Sequence, residues 1–164
     1  MQYRSCKLAA ATLAAAVLMV ALSACQTTGS SAPSASAATT IYEAVPLPAD
    51  TGVVPPGADV PAAMAAFSGE WAGRWDRELN HVLVVQRISP TGDVSGLYAY
   101  TAFAPWNIAQ GRASPFQGKI VDGELQFTLS NGARVRYRFD DSTLNGKYFI
   151  NQFTSTTPMT KVVS

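Results

Sequence analysis

Histidine is almost missing from this chain: there is one, His81, among 164 residues. Cysteine is nearly as scarce, with Cys6 and Cys25 alone. A zinc site of Cys and His ligands needs more than that, and no His, Asp and Glu cluster has ligand spacing. Neither a Gly-x-Ser-x-Gly elbow, a P-loop nor a dinucleotide fingerprint occurs. From residue 63 onward ten basic residues face eight acidic ones, a net charge near +2. That excess is too slight to argue for nucleic acid. Asp76, Glu78 and His81 gather in one short stretch, which reads as a polar hairpin turn on the solvated surface. Asp140 and Asp141 sit where a turn calls for Asp. No metal, no cofactor and no catalytic residues are expected, so the chain is read as a non-enzyme.

What is present begins at the N-terminus. Arg4 and Lys7 carry the only charges before an apolar stretch from Leu8 to Leu22, and Ser23-Ala24-Cys25 follow. A basic segment, an apolar segment and small residues at a cut site read as an export signal. The apolar stretch is short for a membrane span of about 20 residues. Leu22-Ser23-Ala24-Cys25 resembles the lipobox of bacterial lipoproteins. That resemblance implies a signal peptide over 1–24, cleavage before Cys25, and acyl chains on its thiol. Two or three chains bury enough methylenes, at about 0.8 kcal/mol each, to hold a protein on a membrane. Cys6 would leave with the signal, so no disulfide is expected even in an oxidising compartment. Gln26 follows the cysteine, and among the lipoproteins it resembles, a residue other than Asp there implies the outer membrane.

Residues 25–62 are rich in Ser, Thr, Ala, Pro and Gly, with Glu43, Asp50 and Asp59 the only charges. This composition predicts a linker without a packed core. Such a chain spans on the order of 30 Å and would lift the following domain off the lipid headgroups. Asp59, ahead of Val60-Pro61-Ala62-Ala63-Met64, is a candidate cap for a turn or two of helix.

Residues 63–164 are enough for a single domain, and their signals are those of strands. Leu125, Phe127 and Leu129 alternate with polar residues. Val135, Tyr137 and Phe139 alternate with Arg134, Arg136 and Arg138. That is the period of a half-buried strand. Asp122-Gly123 and Asn131-Gly132 are hairpin turn pairs, because both residue types accept the positive φ of a type I′ turn. An apolar-x-Gly-x-apolar pattern recurs at Gly69, Gly96, Gly118 and Gly146. It puts glycine on the apolar face, where a strand can bend or be approached closely. About eight strands are predicted, near 69–76, 80–89, 93–101, 109–113, 115–121, 124–130, 133–140 and 143–150, with a further short one near 158–163. Short turns between consecutive strands favour an all-β, antiparallel up-and-down barrel, which removes exposed edges; an open sheet or a sandwich is the alternative.

Gly69-Glu70-Trp71 and Gly73-Arg74-Trp75 resemble the Gly-x-Trp that opens the first strand of lipocalins and avidins, the calycin barrels. Gly92-Asp93-Val94-Ser95-Gly96-Leu97-Tyr98 is similar to the second-hairpin pattern of avidins, and Met159-Thr160-Lys161-Val162 to their last strand. The resemblance implies a calycin-like barrel over 63–164. It does not extend to biotin: Gly73 and Arg77 stand where avidins place Asn and Ser, and Tyr98 alone matches a biotin contact.

Two functional expectations follow. In the first, the barrel is a tethered binding module for a small apolar or amphipathic ligand, in a cavity lined by Trp71, Tyr98, Tyr100 and Tyr148 and open near Trp106. Trp106 earns its place by lying in a loop that also holds Pro105 and Gly111. In the second, a packed barrel docks on an envelope protein, protease inhibition included, through Trp106 or through the stripe of Arg134, Arg136 and Arg138. Those guanidinium groups recur about every 7 Å along one strand face. The plainer account of the stripe is a solvated outer face that resists edge pairing.

Overall fold

Alternation of inward apolar and outward polar residues decides the architecture. The computed structural model describes residues 31–163; the export segment and Cys25 lie outside them. Eight strands follow one another in chain order: β1 (Gly69–Trp75), β2 (Leu79–Ile88), β3 (Asp93–Tyr100), β4 (Arg112–Val121), β5 (Glu124–Thr128), β6 (Arg134–Asp140), β7 (Thr143–Ile150) and β8 (Phe153–Lys161). Each pairs antiparallel with the next, and β8 returns to β1 through Gly73–Met159, Ala72–Thr160 and Trp71–Lys161. The result is a closed up-and-down barrel.

The turns explain the register. Asp122 and Gly123 both have positive φ, 51° and 75°, as a type I′ turn requires. Asn131-Gly132 differs from the two-residue turn expected: only Gly132 has positive φ, 82°, and its N–H donates to the Leu129 carbonyl at 2.9 Å. That is a type I turn closed by a left-handed glycine. Gly146 is no turn at all; it pairs with Tyr137 inside the β6–β7 ladder. A Cβ there would lie 2.6 Å from the Tyr137 ring, so glycine makes room for the ring to cross the strand.

Two strand expectations need correction. The segments near 109–113 and 115–121 are one strand, β4, running through Pro115. Proline is tolerated because β5 pairs with β4 only at Gly118–Val121, leaving an open edge beside Pro115. The short final strand is the nine-residue β8, which closes the barrel. Its inward face carries Ser155 and Thr157, both buried, so hydropathy alone hides it.

The segment read as a spacer also departs from expectation. Ala35–Ala44 form helix α1, capped by Ser34, whose side chain accepts from the Ala37 N–H. Its Ala38 and Ile41 are buried against Ala72, Val82, Val84 and Ala99 on the outer face of the barrel. The strap continues to Val54, whose N–H donates to the Gln86 carbonyl at 2.9 Å, beside a register shift between Val85 and Arg87. A second short helix, α2 (Ala62–Ala65), leads into β1; its cap is Pro61 rather than Asp59.

Candidate functional site

The barrel interior is stacked in layers along its axis. At the end where the chain enters, Phe67 and Trp71 are buried and meet Phe139 at ring-centroid distances of 4.8 and 5.4 Å. The Trp71 indole N–H donates to the Phe67 carbonyl at 2.9 Å, tying the strand to the plug. Trp71 is therefore part of the closed end, not of a ligand cavity as the sequence suggested. The physical reason is strand position: Trp71 lies near the start of β1, two inward steps from the end that opens.

The middle layer holds a polar group that sequence reasoning placed on the surface. His81 is fully buried on the inward face of β2. It shares that face with Leu79, Leu83 and Val85, so alternation carried two residues further back would have found it. Nδ1 lies 2.8 Å from the Ala99 carbonyl and Nε2 2.6 Å from the Tyr137 hydroxyl. A carbonyl only accepts, so Nδ1 carries the proton, and the Tyr137 hydroxyl donates to Nε2. Burial pushes the imidazole pKa down to about 3, despite the opposing Ala99 hydrogen bond. Burial likewise raises the Tyr98 and Tyr137 phenols above their ordinary value. The Trp75 ring stacks on His81 at 5.1 Å, and its Nε1 is buried with no hydrogen-bond partner among the described residues. The Ser155 hydroxyl is in the same position. Both adjoin Tyr148: Trp75 by ring contact at 6.0 Å, Ser155 as its register partner.

Above this layer the barrel opens into a cavity of about 790 Å³. Tyr98, Tyr100, Trp106 and Tyr148 line it, four of the five aromatics named from sequence. Leu79, Ile108, Leu129, Ile150 and Phe153 add apolar surface. Trp106 ends a short 3₁₀ helix (Ala104–Trp106) in the β3–β4 loop, which a Phe103–Ile108 bridge holds together. Its ring meets Phe153, the first residue of β8, at 5.5 Å, so the loop and the β7–β8 hairpin join across the top. Arg112, Ser114, Thr128, Ser130 and Asn131 form a polar side to the cavity. Sequence reading passed over these, because splitting β4 at Pro115 hid that Arg112 and Ser114 share the face of Phe116.

The arginine stripe lies elsewhere, on the outward face of β6. Arg136 is 3.9 Å from Glu124 and lies 5.9 Å over the Phe149 ring. Arg138 donates to the Asp122 carbonyl at 3.2 Å. Arg134 is exposed. The structure does not bring the stripe to the cavity. No group of three or more His, Cys, Asp or Glu among the described residues could hold a metal.

Neither protein-family models nor curated proteins give a match to this chain.

Proposed function

We propose that this protein is an envelope lipoprotein, tethered through lipid on Cys25, whose barrel binds a small apolar or amphipathic ligand at its open end without catalysing a reaction. The cavity carries the reading. At about 790 Å³ it falls within the range of about 300–1,000 Å³ common to small-molecule sites, and its lining is mostly apolar with a few convergent polar groups. A barrel of this size needs side chains to fill it, and here they fill one end only.

The tether rests on the lipobox-like Leu22-Ser23-Ala24-Cys25, and the outer membrane on Gln26. Ser31 and Pro33 share a shallow surface pocket with Arg74 and Arg77, beside the β1–β2 turn that borders the open end. The chain from Cys25 to Ser31 spans at most about 20 Å when fully extended. A lipid on Cys25 would keep the cavity close to the membrane surface.

Native mass spectrometry of the full chain, purified from bacterial membranes, tests both parts. A reproducible added mass that disappears on denaturation is the expected sign of a bound ligand. An added mass that survives denaturation and maps to Cys25 is the expected sign of the lipid. A bare polypeptide mass under both conditions, unchanged by envelope lipid extracts, overturns the proposal.

A further inference from the structure

We infer that the ligand carries one anionic group, held by Arg112 at a side entrance between β4 and the β5–β6 turn. The inference rests on the cavity reading above and adds the chemistry of its occupant and the place where it enters.

The entrance follows from strand pairing. β3 pairs with β4 along its whole length, from Asp93–Lys119 to Tyr100–Arg112. β5 pairs with β4 only from Gly118 to Val121. The stretch from Arg112 to Gln117 therefore has no strand partner on its β5 side, and Pro115, which has no N–H to donate, sits in that stretch. Arg112, Ser114 and Pro115 border the cavity from one side of this gap, and Thr128, Ser130 and Asn131 from the other. The top is spanned instead by the Trp106–Phe153 contact. The side gap is the polar, unpaired part of the wall.

The charge follows from the lining. Among the described residues, Arg112 is the only charged one bordering the cavity, and no carboxylate does. It lies on the inward face of β4, in register with Tyr100, and is exposed. The two ion pairs among the described residues, Lys119–Asp93 and Arg136–Glu124, do not involve it. A guanidinium beside an apolar cavity, without a counter-charge, fits a carboxylate through two parallel hydrogen bonds. The geometry also sets the direction of the ligand. A charge taken into the aromatic interior alone would cost far more than one left at the rim. The anionic head stays at Arg112 in the gap, and the apolar body points toward Tyr98 and Tyr148.

Calorimetric titration of the full chain in phosphatidylcholine nanodiscs, with empty nanodiscs as reference, tests this using decanoate and 1-decanol. These probes share a tail and differ in charge. Decanoate is expected to bind about tenfold more tightly than decanol, and R112Q to remove that preference by lowering decanoate affinity to the level of decanol. R112K is expected to restore part of it, because lysine keeps the charge but not the fork. Equal binding of both probes, unaffected by R112Q, would overturn the anion assignment and leave the cavity reading standing. Binding of neither probe would overturn both. Decanol serves as the control for folding, since a collapsed variant loses it too.

Discussion

At one end of the barrel Phe67, Trp71 and Phe139 pack at centroid distances of 4.8 and 5.4 Å; at the other, Phe103, Trp106, Phe153 and Tyr148 form a chain of contacts at 5.5, 5.5 and 6.3 Å. Both ends are aromatic, yet one is filled and the other surrounds about 790 Å³. Aromatic content does not make the difference; the backbone behind it does. The filled end is entered by α2 and a run of backbone hydrogen bonds from Met64 to Ser68, and Trp71 is bonded to the Phe67 carbonyl. The open end is spanned by a loop from 101 to 111, beside a strand edge that β5 leaves unpaired. Trp71 and Phe139 stand on paired strands beneath that plug, whereas Phe103 and Trp106 ride on the loop and leave space beneath them.

The sharpest way to break this comparison is at Trp71. W71A would remove a buried ring and leave the Phe67 carbonyl without its donor. It is expected to cost about 3–5 kcal/mol of stability, read as a fall in the urea midpoint. Ligand binding per folded molecule should be unchanged, because Trp71 does not touch the cavity. A W71A protein that keeps its stability, or that loses binding while folded, would mean the two ends are not independent.

The middle layer joins the ends, and its histidine makes that layer sensitive to acid. His81 titrates near 6.5 when unfolded and near 3 when buried in the barrel, so the unfolded chain binds the extra proton. Its contribution is complete above pH 6.5 and is lost as pH falls toward 3. The expected slope is about 1.4 kcal/mol per pH unit within that window. The test is the native urea midpoint minus that of H81Q, whose amide keeps polar character but does not titrate. A difference that stays flat from pH 6.5 to 4 would contradict the buried, neutral imidazole.

The fold was legible wherever two faces of a strand differ. β5 and β6 show it in clean alternation, and Arg134, Arg136 and Arg138 stand outward as that pattern requires. It was obscured where both faces are buried or where the inner face is polar. Val82 and Val84 point outward from β2, yet they are fully buried under α1. Such a strand reads as a continuous apolar run, and His81 at its edge looks like part of a turn. The helix that covers it shows Ala38, Ile41, Tyr42 and Val45 at helical spacing. Alanine and threonine around them make that signal faint against the Pro- and Ser-rich background. The cavity aromatics were legible because they lie late in strands or in a loop. Trp71 was misplaced because identity as an inward tryptophan does not say at which depth it sits.

The smallest effect on stability should come from the rings across the top. Trp106 is half-buried and Phe153 is 44% exposed, so neither anchors much core. W106A is expected to change stability by less than about 1 kcal/mol. Its effect is expected on binding instead, because Trp106 borders the cavity and meets Phe153 across its top. A drop of about tenfold in decanol affinity is expected for W106A, and a similar drop for F153A. The two rings touch at 5.5 Å and act as one cover. The double variant should therefore bind no worse than either single one, a coupling that a double-mutant cycle reads directly. Additive losses would mean that each ring contacts the ligand separately, and that the loop does not close on the β7–β8 hairpin to complete the wall.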